Sequence, residues 1–255
     1  MPGPCRGRGI VDATAGGTCL NYWKAGLGSV PPKVWERLDC EVLILADNRL
    51  TELPPALGRL RALHTLDLGH NALTRIPEEI GELAAGLTRY LYLHDNRLAS
   101  LPDGLCALER LGYLNVGGNP LGRLPEALGA LGGLVELRAQ NAGLTELPAS
   151  AGRLVRLREL WLGGNALTGL PAALGALGEL RELELRGNAL PRVPEALRTM
   201  PLLRRIDLRG NRIGELPAWI AGLPSLEKLD LRWNAVADTA EPVVALREAG
   251  CVVLT

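Results

Sequence analysis

Three histidines, His64, His70 and His94, are the side chains whose unperturbed pKa lies near neutrality. One of them recurs in register with carboxylates: Asp47, His70 and Asp95 are separated by 70 − 47 = 23 and 95 − 70 = 25 residues. If the chain repeats at that interval, the three side chains stack in one column at roughly 4.8 Å strand spacing. An imidazole between two carboxylates could hold a metal ion or act as an acid–base pair. Against that reading, a column at an exposed strand end has no enclosing pocket and no group to orient the ring. The sequence has no phosphate loop, nucleophile elbow or paired CxxC motif. The expectation is therefore a non-enzymatic protein without metal or cofactor, with a metal-binding or hydrolytic site at Asp47/His70/Asp95 as the alternative.

A second set of chemically able residues is aromatic and charged: Tyr90, Tyr92, His94, Tyr113, Arg138 and Trp161, then Glu184, Arg186, Asp207, Arg209, Asp230 and Arg232. Aromatic rings on a rigid face anchor interfaces, and arginine forks suit carboxylates or phosphate groups on a partner. The tyrosines could instead simply pack along the sheet, and the alternating acids and arginines could pair with one another, which is worth little at a surface.

The elements that must position these residues come from one frame, clearest at Leu157-x-x-Leu160-x-Leu162-x-x-Asn165-x-Leu167-x-x-Leu170-Pro171, with Leu174 and Leu177 following and Leu180 opening the next copy. Asparagine recurs at Asn48, Asn71, Asn96, Asn119, Asn165, Asn188, Asn211 and Asn234. Self-similarity at this period marks a solenoid in which stacked copies share one core. Positions 4 and 6 of each copy are apolar while 3, 5 and 7 vary, which is strand periodicity with one face free. The asparagine at position 9 is expected to satisfy backbone groups of the following turn, and Leu-Pro at 14–15 turns the chain under the core. Positions 18 and 21 predict a short helical turn on the outer wall. Strands pack more tightly than outer turns, so the strand face is expected to be concave.

Full copies start at Cys40, Leu63, Thr88, Leu111, Leu134, Leu157, Leu180, Leu203 and Leu226. The expected organisation is a disordered tail over 1–16, a degenerate capping repeat over 17–39, nine repeats over 40–238, and a terminal cap of helix plus strand over 239–255. Leu20 takes position 4 of the first cap, and Trp23 and Trp35 are expected to cover the core edge there. The copy from Leu63 carries extra residues near Ala84-Ala85-Gly86. The copy from Leu134 has Ala139, Ala142 and Ala151 where the frame wants larger residues or asparagine, so the asparagine ladder should break. Asp238-x-x-Glu241 is expected to box a helix through Ala249 that Gly250 stops, with Val252 and Leu254 at positions 4 and 6 of a last strand.

Formal net charge is zero and pI is near 6.8, which argues against a phosphate-backbone binder. No apolar run reaches membrane-spanning length, and no signal peptide is evident. Cys5, Cys19, Cys40, Cys106 and Cys251 are odd in number and show no paired spacing, so they read as reduced thiols. Together these point to a cytoplasmic monomer that binds neither nucleic acid nor membrane.

The frame LxxLxLxxNxLxxLPxxLGxLxx, as in Leu157–Glu179, resembles the 23-residue class of intracellular leucine-rich repeat proteins, among them Ras-binding scaffolds, plant Ras-group members and short bacterial proteins. The resemblance implies an α/β solenoid: a horseshoe with a parallel sheet on the concave face and short helical or 3-10 turns outside. It also implies a protein-interaction module acting in intracellular signalling or regulation, with a small GTPase or other signalling protein as partner. Self-association as an assembly protein is the alternative.

Overall fold

The computed structural model describes residues 9–13 and 17–255, with side chains from Thr18 onward. The chain divides into two compact units, residues 1–121 with 130–134, and residues 122–129 with 135–255. In the first, β1 (Gly9–Ala13) runs antiparallel to β2 (Gly17–Asn21). Beyond β2 the sheet is parallel: β3 (Cys40–Ile44), β4 (Thr65–Asp67), β5 (Tyr90–Tyr92) and β6 (Tyr113–Asn115). β1 lies inside the segment expected to be disordered, while residues 1–8 and 14–16 of that segment are outside the described residues. In the second unit the strands are β7 (Glu136–Arg138), β8 (Glu159–Trp161), β9 (Glu182–Glu184), β10 (Arg205–Asp207) and β11 (Lys228–Asp230). Helix α1 (Glu241–Glu248) then leads into β12 (Val252–Leu254), and every pairing from β7 to β12 is parallel.

Register follows the frame. Position 4 forms unbroken rows, Leu43, Leu66, Leu91 and Leu114 in one unit and Leu137, Leu160, Leu183, Ile206 and Leu229 in the other, none more than 2% exposed. Each leucine is covered by the same leucine above and below, so the core is built from neighbours rather than within one copy. The outer segments are short 3-10 turns, five residues long at Ala172–Ala176 and Asp103–Ala107. Proline precedes them with φ near −65°, for example Pro171 at −63° and Pro102 at −70°. Its ring presets that angle, and its missing N–H is no loss where no intrahelical partner exists. The longer copy absorbs part of its extra length in a six-residue turn, Glu78–Leu83.

The asparagines form the expected ladder. Asn188 donates from Nδ2 to the carbonyls of Leu162 (3.1 Å) and Leu185 (2.9 Å) and accepts the Leu167 N–H at Oδ1 (3.0 Å). Each rung thus ties two adjacent copies through backbone groups that would otherwise be buried unpaired. At Ala142 the rung is missing, and Asn165 compensates in part: its Oδ1 accepts both the Ala142 and the Leu144 N–H at 3.0 Å.

The ends depart from expectation. The capping box at Asp238 and Glu241 does not form; Ala240 is the N-cap without a side-chain bond, and Asp238 instead binds Arg247 and Thr255 Oγ1, both at 2.6 Å. The last strand is shifted by one residue. Val253, not Val252, pairs with Leu229 at position 4, leaving Val252 54% exposed and Val253 buried. A one-residue slip inverts every face of a strand, so burial of Cys251 and Val253 fixes the choice. Trp35 is buried as expected, but Trp23 stands 45% exposed, its indole N–H on Asp47 Oδ2 (2.6 Å) and Lys24 over its ring. Cys19 is disulfide-bonded, while Cys40, Cys106 and Cys251 are free and buried. The all-thiol expectation therefore fails at Cys19. Among the described residues no helix is long and apolar enough to cross a membrane.

Candidate functional site

Positions 3, 5 and 7 of each copy project from the free face of the sheet, and the structure gathers the candidate residues there into one group in each unit. In the first unit the group is aromatic. Tyr90 and Tyr92 alternate along β5, and Tyr113 stands beside them on β6. The rings interlock, with Tyr92–Tyr113 centroids at 4.9 Å, Tyr90–Tyr113 at 5.6 Å and Tyr90–Tyr92 at 6.0 Å. Tyr90 is the most open, at 39% exposure. His94 continues the cluster, edge-on to Tyr92 at 6.0 Å and to His70 at 4.8 Å. Neighbouring strands carry small or polar residues here, Thr65, Asp67 and Gly69 on one side and Asn115 and Gly117 on the other. The rings therefore stand as a ridge on a lower surround, and offset aromatic packing holds their rotamers.

In the second unit the group is charged. Trp161 receives the Arg138 guanidinium over its ring at 4.9 Å and donates its indole N–H to Glu159 (3.1 Å). Arg138 also bonds Glu136 at 2.5 Å. Further along, the acids and arginines pair closely: Arg186 with Glu184 at 3.1 Å, Arg209 with Asp207 at 2.6 Å and Asp230 at 3.6 Å, and Arg232 with Asp230 at 2.7 Å. A shallow cavity of about 240 Å³ opens here, lined by Trp161, Glu182, Glu184, Arg205, Asp207, Arg209, Lys228, Asp230 and Arg232. Its four acids balance its four bases, so it offers no net charge to a phosphate group.

The acids have a second task that the frame alone does not display. At position 5 a carboxylate or amide oxygen accepts the N–H two residues on: Asp67 from Gly69 (3.0 Å), Asn115 from Gly117 (3.1 Å), Glu184 from Arg186 (3.2 Å), Asp207 from Arg209 (3.1 Å) and Asp230 from Arg232 (3.3 Å). Short polar side chains close their own strand end in this way. Glu184 also takes the Gly163 N–H of the preceding copy at 3.0 Å. Burial pushes the Glu184 carboxyl above the ordinary range, against the opposing hydrogen bond from Gly163 and the charge of Arg186. Burial acts the same way on Asp230, but the hydrogen bonds and charge of Arg232 together with Arg209 outweigh it and hold that carboxyl below its usual value.

The three column residues do share one backbone conformation, with positive φ of 55° at Asp47, 52° at His70 and 52° at Asp95. Glycine fills the same place at Gly118, Gly164, Gly187 and Gly210, also with positive φ. The column does not assemble as one group, however. Asp47 turns to Trp23, and the cluster that forms is His70, His94 and Asp95. His94 was legible as a neighbour one position away, but its sideways reach over Gly69 was not.

Leucine-rich repeat profiles match three stretches: a leucine-rich repeat region over residues 87–192, and leucine-rich repeat profiles over 194–236 and 62–83. No curated protein matches the sequence at a significant level. Among solved structures, a leucine-rich repeat protein of Leptospira interrogans is similar in fold, with TM-score 0.52 and 20% identity over 92% of this chain and 95% of its own. The leucine-rich repeat ectodomain of the receptor kinase GASSHO1/SCHENGEN3 from Arabidopsis thaliana, in complex with CASPARIAN STRIP INTEGRITY FACTOR 2, gives TM-score 0.73 and 31% identity, covering 91% of this chain and 29% of its own. The plant peptide hormone receptor RGFR1, in complex with RGF2, gives 0.67 and 28%, covering 91% and 45%. The chain thus spans less than half the length of these two receptors. Repeat spacing, stacked leucines, asparagine ladder and profile matches agree: the chain belongs to the leucine-rich repeat proteins.

Proposed function

We propose that this protein is a non-enzymatic protein-interaction module that engages a protein partner on the free face of its sheet. The observation that carries the reading is the tyrosine ridge of the first unit. Three of the chain's four tyrosines stand there, and the leucine core needs none of them. Rigid, amphipathic rings lose little side-chain entropy on binding and are the residue type on which interfaces concentrate their energy. One of the plant receptors named above, a peptide hormone receptor, is seen in complex with RGF2, which supports an extended peptide or a protein loop as occupant. In the second unit, Trp161 with its stacked Arg138 is the corresponding anchor. The Glu184–Arg232 lattice contributes less, because its charges already satisfy one another and its acids close strand ends. Regulation or signalling in the cytoplasm through a monomeric chain is the setting we propose with this function. A small GTPase or comparable signalling protein is the class of partner implied by the resemblance.

The test is capture of partners from a lysate of the source cells by wild type and by Tyr90→Ala/Tyr113→Ala, beside a melting curve for each. A species held by wild type, lost at least tenfold in the variant, and accompanied by an unchanged melt supports the ridge. Equal capture by both moves the site off the ridge.

A further inference from the structure

We infer that His70, His94 and Asp95 form a binding site for a divalent ion of the zinc type at the ends of β4 and β5. One ligand atom from each residue lies within 4.8 Å of the others. His70 Nδ1 and Asp95 Oδ2 are already 3.4 Å apart. Ligands at zinc distances in a tetrahedron stand about 3.3 Å from one another, so this pair needs no movement and His94 needs only a small one. Two imidazole nitrogens and one carboxylate oxygen suit zinc and neighbouring transition ions, not the all-oxygen shells of calcium or magnesium. A fourth position is left to water, since His70 and Asp95 are both exposed.

Three further features of the backbone and surroundings fit such a site. The His70 N–H bonds the His94 carbonyl (3.0 Å) and the Asn71 N–H bonds the Asp95 carbonyl (3.2 Å), so the sheet ladder fixes the three residues relative to one another. His94 Nδ1 is buried and, among the described residues, has no hydrogen-bond partner. A buried ring nitrogen of this kind is costly to leave unpaired, and the ring can present either edge to an ion with little rearrangement. Gly69 makes the ring's position possible: a Cβ there would stand 2.4 Å from His94 Cε1.

The left-handed backbone at residues 70 and 95 supplies an unusually clean test. Glycine occupies the same place in four other copies, so His70→Gly and Asp95→Gly delete ligands while easing the backbone. Full-length protein stripped of metal would be titrated with zinc by calorimetry and with cobalt by visible absorption. The expected result is one equivalent of zinc, a cobalt spectrum of tetrahedral intensity, and affinity at least tenfold weaker in either glycine variant with no loss of thermal stability. His64→Ala, which removes the remaining histidine, should bind as wild type. Gly69→Ala should weaken binding by displacing the His94 ring. Absence of a stoichiometric equivalent, or wild-type affinity in His70→Gly, would overturn the site.

Discussion

Replacing Asn96 by alanine isolates one rung of the ladder and should be among the most damaging polar substitutions in the chain. Asn96 is 7% exposed. Its Oδ1 accepts the Leu73 N–H at 3.0 Å, and Nδ2 donates to the carbonyls of Leu68 and Leu93, both at 3.0 Å. The two carbonyls keep a second donor, Asn71 at 3.1 Å and Asn119 at 3.0 Å. Losing those bonds therefore costs about 0.5–1.5 kcal/mol each. The Leu73 N–H has no such reserve, and an orphaned buried donor costs about 1–3 kcal/mol. The sum is about 2–6 kcal/mol, a large share of the roughly 5–15 kcal/mol that holds a typical domain together. Urea unfolding followed by far-ultraviolet circular dichroism would measure it. Asn141→Gly, at an exposed residue with φ of 52°, serves as the control and should change stability by less than about 1 kcal/mol. A comparably small loss for Asn96→Ala would refute the accounting. The structure shows how that could happen: where the next copy carries Ala142, the Leu121 N–H, the counterpart of Leu73, turns to the Asn119 carbonyl at 2.9 Å.

Leu160→Ala, in the position-4 row and 2% exposed, should destabilise by about 2–5 kcal/mol through the cavity it leaves; a loss under 1 kcal/mol would mean the row can collapse. Burial raises the Cys40 thiol to about 11, so iodoacetamide at pH 8 should leave it unmodified until the protein is unfolded, as read by intact mass. The raised folded-state pKa of Glu184 means that the protonated form is favoured by folding. Its stabilising contribution is complete below the ordinary carboxyl value and is lost as pH rises through the folded value. Glu184→Gln should flatten that part of the stability–pH curve. Asp230 carries the opposite sign, because its folded pKa is depressed. It stabilises above the ordinary carboxyl value and loses that contribution as pH falls through the folded one, and Asp230→Asn should remove this acid-side loss.

Local pattern alone determined most of the architecture. Leucines at positions 1, 4 and 6 and asparagine at 9 can be satisfied together only when copies stack, because one copy buries neither its leucines nor its backbone polar groups. Strand positions, the outer turns after Leu-Pro, the break at Ala142 and the identity of the face-bearing residues were all legible for that reason. What the tertiary structure decided were contacts between copies and the choices at the ends, where the period no longer constrains the chain. Asp47 was expected beside His70 but is drawn off by Trp23, and His94 reaches over Gly69 to take its place. The position-5 acids read as a surface lattice, yet they close their own strand ends through N–H groups two residues on. In β12 the alternation of Cys251 and Val253 into the core overrode the register counted from the frame. Spacing specifies which residues share a face; which of them touch depends on rotamers and cross-strand neighbours, and those exist only once the copies are stacked.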